Sequence, residues 1–262
     1  MARWLRLYKV MFQTSIARTL AYRASFIVEV IFNSLWLVYF VFIVEVLFGH
    51  TDSVAGWSKG GAVMLVGVWS LWDDTLQMFV GKGMRALSLN IDRGDFDLFL
   101  TKPVNTLFLA SFRQFDPTRL VYAAVDIIII WYGVSLQSAK LSWEGIAGGA
   151  VMLCAAFLLG YSLWVMVVTL SFRFIKIDNI HDLFHSVMMF ARNPVEIFGA
   201  RLRPVLFTVV PLALIANVPA RVMLGIFETW QVTLSVSMSI LFFVSARQVW
   251  QRAIRRYMSA SS

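Results

Sequence analysis

Charge is scarce in this chain: of its 262 residues only 15% are Asp, Glu, Lys or Arg, while 59% are apolar. A soluble domain of this length needs roughly 25% charged residues to hydrate its surface, so a water-soluble globule is excluded. Cysteine is nearly absent as well. Cys154 stands alone, so no disulfide can form within the chain, and its place in an apolar run reads as a small buried hydrophobe. Acidic residues are missing from both ends. Met1 to Arg23 carries Arg3, Arg6, Lys9, Arg18 and Arg23 with no acid, and the stretch from Arg247 carries Arg247, Arg252, Arg255 and Arg256 with none. Nucleotide-handling motifs are missing too. Gly81-Lys82-Gly83 has neither the spacing nor the hydroxyl of a phosphate-binding loop, and there is no Gly-x-Ser-x-Gly and no His-Glu-x-x-His. No cleavable leader is legible, because basic residues break up the apolar ones before Arg23. The sequence therefore reads as neither an enzyme nor a secreted domain.

Long apolar runs account for what is present. Phe26 to Phe48 reads FIVEVIFNSLWLVYFVFIVEVLF, and at 1.5 Å per residue such a helix covers a bilayer core of about 30 Å. Further runs predict spans over roughly 61–81, 119–137, 145–172 and 229–246, with a fifth in the region 173–224. The expected fold is an all-α membrane protein of six transmembrane helices. An interfacial amphipathic helix (1–24) precedes the membrane domain (25–246), and a basic cytoplasmic tail (247–262) follows it. Basic residues beside spans are retained in the cytoplasm, so both termini are expected inside. Trp57, Trp143 and Trp230 precede spans two, four and six on the outer side, at the headgroup depth that indoles favour. The net charge of +8 thus belongs to topology and the bilayer surface, not to nucleic acid. Gly145, Gly148, Gly149, Ala155, Ala156 and Gly160 form a small-residue face suited to close helix contact.

Residues 173–224 leave two readings open. Ile177 to Phe198 is moderately apolar and holds His181, Asp182, His185 and Arg192; Val205 to Leu224 is apolar but interrupted by Pro211 and Pro219. Either could be span five. His181 and His185 are spaced to share one helix face, but no third ligand accompanies them, so no metal site is assigned.

Intramembrane carboxylates are the residues most able to carry chemistry. Asp73 and Asp74 fall in span two, Asp126 in span three, and Glu29 and Glu45 near the ends of span one. A charge at mid-bilayer costs at least ~2.5 kcal/mol, so such groups line a polar path, pair with a cation or stay protonated. Asp73, Asp74 and Asp126 are the pathway candidates. An ion-coupled secondary transporter built on them is one reading, and a membrane scaffold with interhelical polar pairs is another.

Two blocks of sequence carry a family resemblance. AGWSKGGAVMLVGVWSLW followed by LSLNIDRGDFDLFLTKPVNTLF contains Gly56-Trp57, then Ile91, Gly94, Asp97 and Leu100 at three-residue spacing, then Lys102-Pro103-Val104-Asn105. The second block is Asn193-Pro194 through RLRPVLFTVVPLALIANVPARVMLG, with Asn193 where the family usually has tyrosine. Together they resemble the permease subunits of ABC-2-type exporters. The resemblance implies a bacterial cytoplasmic-membrane export permease working with a second permease chain and with separate ABC ATPase subunits. ATP and magnesium would bind those subunits and not this chain. It also implies an ATPase-coupling segment over 89–102, with Ile91, Asp92, Arg93, Gly94, Asp95, Phe96, Asp97, Leu98 and Phe99 at its centre. Phe96, Leu98 and Phe99 would supply its apolar anchor. By the same resemblance 177–198 becomes span five, and 205–224 an outer re-entrant hairpin with Pro211, Asn217 and Pro219 as gate residues.

Overall fold

Helix follows helix throughout the computed structural model, which describes residues 12–17, 19, 23–92, 94–137, 141–172 and 180–257. No strand occurs among the described residues. Most of the expected interfacial segment lies outside them; residues 12–17 are helical. The long elements are α1 (Arg23–Phe48), α2 (Lys59–Leu76), α3 (Lys82–Asp92), α6 (Thr118–Ser135), α7 (Trp143–Thr169) and α11 (Thr229–Arg256). Between them lie the short helices α4 (Asp97–Leu100), α5 (Thr106–Phe112), α8 (Ile180–Met188), α9 (Arg203–Thr208) and α10 (Asn217–Leu224).

Among the described residues, four helices are long and apolar enough to cross a membrane: Ala24–Phe48, Thr118–Ser135, Trp143–Phe172 and Thr229–Arg256. The chain is a multi-pass membrane protein. The first of the four packs least, with only 11% of its most apolar window buried. Ile31, Phe32, Leu35 and Phe42 on it are exposed to the surroundings, as lipid-facing side chains would be.

The expected second span has a different character. α2 buries fourteen of its 18 residues, so protein rather than lipid surrounds it. That explains why it tolerates Asp73 and Asp74. Ser58 starts it by accepting the N–H of Gly61 at 3.2 Å, a side-chain cap on an otherwise orphan donor. Nor does the helix stop at residue 81. A wide π turn over Gln77–Gly81 leads directly into α3. The carbonyl that the wide turn releases, that of Met78, accepts the N–H of Asp116 at 2.9 Å, and Lys82 pairs with the Asp116 carboxylate at 3.0 Å.

Glycine sets how closely α2 meets α6. A Cβ placed on Gly60 would stand 2.5 Å from the Gly133 carbonyl oxygen, and one on Gly133 would stand 2.7 Å from the Met64 nitrogen. Backbone touches backbone there, as small residues permit in membrane bundles. The small-residue face of α7 serves two neighbours. Gly145 and Gly149 meet Met223, Gly148 meets Val222, and Gly160 meets the ring of Trp72. Trp72, 2% exposed, donates its indole N–H to the Ala156 carbonyl at 2.9 Å. On the far side of α7, Ser239 of α11 donates to the Ala155 carbonyl at 2.7 Å. Cys154, expected to be buried, is exposed; it borders an open hollow between α7 and α2.

α11 continues unbroken past Ala246 to Arg256, so its basic residues ride on the helix that spans. Residues 180–224 hold no helix of span length. Ile180–Met188 runs into a 3-10 turn ending at Arg192, breaks at Asn193-Pro194, and is followed by short helical pieces.

Candidate functional site

The three intramembrane aspartates come together. Asp73 and Asp74 face inward from α2, and Asp126 lies beside Asp74 and Ser70 from α6. Arg119, two turns before Asp126 on the same helix, forms a salt bridge with Asp74. Its guanidinium also lies over the Tyr122 ring, 5.3 Å from the centroid. His185 of α8 approaches Asp73 at 3.6 Å. One polar group thus ties α2, α6 and α8 in the middle of an apolar bundle. Asp126 is fully buried, and neither of its carboxylate oxygens makes a hydrogen bond of normal geometry. It is the member of the group that packing explains least.

The two histidines point to different partners. The indole N–H of Trp164 donates to His181 Nδ1 at 3.1 Å, while Nε2 lies 3.1 Å from the Ser88 hydroxyl. An Nδ1 that accepts carries no proton, so this ring is the Nε2–H tautomer. No group of three or more His, Cys, Asp or Glu suited to a metal ion occurs among the described residues. Glu45 is drawn off to the end of α1, where Lys59 pairs with it and the Tyr132 hydroxyl donates to it. Glu29 is exposed.

The segment after Ile180 climbs along α2. Its start meets Ser88, the Met188 carbonyl accepts the indole N–H of Trp69 at 3.0 Å, and Glu196 accepts that of Trp57 at 2.8 Å. It therefore extends from beside α3 to the first turn of α2. Arg192 lies over the Phe40 ring at 3.9 Å on the way. Asn217 then closes the break at Pro194. Its Oδ1 accepts the N–H of Val195 at 2.9 Å, and its amide donates to the Asn193 carbonyl at 3.1 Å and that of Ala191 at 3.3 Å. Pro211 begins the fully buried turn 211–216, and Pro219 lies inside α10.

Glu196 was not singled out by sequence reasoning, yet it joins three segments. Arg221 pairs with its carboxylate, Arg203 donates to its backbone carbonyl at 2.6 Å, and Arg221 also covers the Trp57 ring at 5.4 Å. A signal existed: Arg221 interrupts an otherwise apolar stretch and must find an acid. Arg119 gave the same kind of signal, standing seven residues before Asp126.

In the stretch 89–102 the aromatic residues turn inward. Phe96 is fully buried and meets Phe99, Phe172, Trp250 and Tyr257 with ring centroids 5.1–6.1 Å away. Phe99 is 6% exposed. The apolar side chains that this stretch presents outward are Leu89, Leu98 and Leu100, at 53%, 63% and 42% exposure. Gly94 has φ +76°, a conformation that glycine adopts without steric penalty, and Asp95 beside it is exposed. Ile91 is buried against the core. Arg93 lies outside the described residues.

Comparison with protein families gives one match that spans nearly all of this architecture. The sequence model of the ABC-2 family transporter proteins matches residues 34–261. The chain belongs to that family. A comparison with curated proteins found no match. Membership identifies this multi-pass chain as a membrane component of the ABC transporter type, a transport subunit.

Proposed function

We propose that this chain is the permease subunit of an ABC exporter in a bacterial cytoplasmic membrane. Two permease chains, identical or similar, form the pathway at their interface, and separate ATPase subunits bind ATP and magnesium. Both termini are cytoplasmic and the chain crosses six times. The crossings are α1, the joined α2 and α3, α6, α7, the broken segment 180–197 and α11. Residues 198–224 fold back on the outer side as a gate pinned by Asn217. The observation that carries the reading, beside family membership, is the end of the central helix. α2 and α3 are one mechanical element, buried through the bundle along α2; in its last turn Leu89 stands exposed, and just past its end so do Leu98 and Asp95. Exposed leucines beside charge suit a small protein interface, and a push delivered there is transmitted along a buried helix. ATPase closure would then bias the bundle between inward- and outward-open states.

Co-purification tests this directly. The intact chain should retain an ABC ATPase, and Leu89→Asp with Leu98→Asp should abolish that retention while the permease stays folded. Retention unchanged in this surface variant would sink the docking role.

A second reading has one observation in its favour. Asp126 is a buried carboxylate without a normal hydrogen bond, as an ion-coupled pathway would require. Transport that persists without any ATPase but stops when the proton gradient is collapsed would favour it.

A further inference from the structure

Two hollows on one flank of the bundle run into each other. The first, about 560 Å³, lies between α2 and α7, walled by Leu71, Thr75, Phe79, Leu153 and Cys154. The second, about 780 Å³, opens between α5, α7 and α11 and ends at Arg247, Gln251 and Arg255. Phe108, Phe112 and Phe157 line both, so the two form a single trough, apolar at one end and basic at the other. Among the described residues no carboxylate lines it.

The charge sits at a definite depth. Arg247, Gln251 and Arg255 follow at four-residue intervals and share one face of α11. From the helix start at Thr229, Arg247 lies about 27 Å along the axis and Arg255 about 39 Å. A hydrocarbon core is about 30 Å thick, and the headgroup layers bring the bilayer to about 40–45 Å. Arg247 therefore reaches the edge of the core and Arg255 the headgroup layer, while the aromatic part of the trough lies deeper. Among the described residues neither arginine has a carboxylate partner. Basic pockets between membrane helices at headgroup depth bind anionic lipid heads. A twofold pair of chains meeting trough to trough would set these arginines against their own copies, an unfavourable juxtaposition of like charge.

We propose that this trough holds one anionic phospholipid of the surrounding bilayer, its phosphate against Arg247 and Arg255 and an acyl chain along Phe112 and Phe157. The site is separate from the ATPase-docking surface and does not depend on transport direction or cargo. The ligand is a component of the leaflet at the basic end of α11.

Photolabelling of the full chain in nanodiscs tests it. Phosphatidylglycerol and phosphatidylcholine, each with a diazirine in the acyl chain, are compared in otherwise identical discs. The expected result is labelling of the Phe108–Phe112 and Cys154–Phe157 segments by phosphatidylglycerol about thirtyfold above phosphatidylcholine, as two arginines at an anionic headgroup would give. The lipid-exposed Trp131 and Phe42 should label equally with both. Arg247→Gln with Arg255→Gln should bring phosphatidylglycerol down to the phosphatidylcholine level, and the paired Lys substitutions should retain the preference. Equal labelling by the two lipids in the unmodified chain overturns the proposal, whatever the variants do. So does labelling unchanged in the glutamine variant, or a trough unlabelled by either lipid because a second copy covers it.

Discussion

The side-chain oxygen of Asn217 accepts the backbone N–H of Val195 at 2.9 Å, one residue past the proline that breaks the preceding helical stretch. Pro194 can offer no N–H of its own, and the break leaves the Ala191 and Asn193 carbonyls without helical donors. One buried amide, 1% exposed, answers for all three backbone groups. Replacing Asn217 by Leu should lower thermal stability strongly, on the order of 2–5 kcal/mol for several buried groups left unpaired. Asn217→Asp should recover only the acceptor half. Melting of the purified variants in detergent is the check, and an Asn217→Leu chain that melts like the parent would contradict it.

Glycine positions differ in what they tolerate. Gly133→Ala should destabilise by about 1–3 kcal/mol, because the added methyl meets the backbone of α2 and the helices must part. Gly56→Ala should lose roughly 1–2 kcal/mol through its positive φ alone, since nothing crowds it. Gly199→Ala has neither problem and should be silent. The order of the three melting temperatures decides the matter.

Within the aspartate group, removing a partner should hurt more than removing a charge. Arg119→Met strands Asp74 in a buried site and should cost about 3–5 kcal/mol. Combining it with Asp74→Asn should restore much of the loss. Asp126→Asn should leave stability level or raised, because the carboxylate has no normal hydrogen bond to lose. If Asp126 belongs to the pathway, that same variant should transport poorly while melting normally. Normal transport would make it a packing residue.

Phe96 and Leu98 separate folding from docking. Phe96→Ala removes the centre of the aromatic cluster and should destabilise by about 3–5 kcal/mol. Leu98→Ala, at an exposed position, should leave the melting temperature unchanged and weaken ATPase retention. A stable Phe96→Ala chain would show that the cluster is not part of the permease fold.

Sequence legibility follows the length of the interactions involved. α1, α6, α7 and α11 announce themselves through long apolar runs, and the glycine face of α7 through its spacing. α2 has the composition of a weak span because it contacts protein on nearly all sides, which composition alone cannot distinguish from lipid contact. The region 180–224 resisted reading because its breaks are satisfied from Asn217, 22–26 residues away, rather than by neighbours in sequence. Asp73, Asp74 and Asp126 were identifiable by their cost in a bilayer; that Arg119 answers Asp74 on another helix, and not Asp126 on its own, was not. The direction of Phe96 was hidden for a related reason. In a turn as short as 94–96, periodicity is too brief to tell inward from outward, and the rings that enclose Phe96 come from residues 172, 250 and 257.

The wide turn at Gln77–Gly81 has a consequence for phase. Trp72, Leu76, Val80 and Met84 are all buried, yet they follow at steps of four, and each such step on an ordinary helix overshoots one turn by about 40°. Three steps would carry Met84 some 120° round, toward the membrane. A turn that absorbs one additional residue takes back about 100°, returning Met84 and the residues after it to the inner face. The central helix thus keeps time with a four-residue beat only because of one slack turn. Deleting a single residue there would take up the slack and leave Arg85 and everything below it in phase, whereas tightening the turn with all its residues kept would swing them by about 100° without touching one contact above.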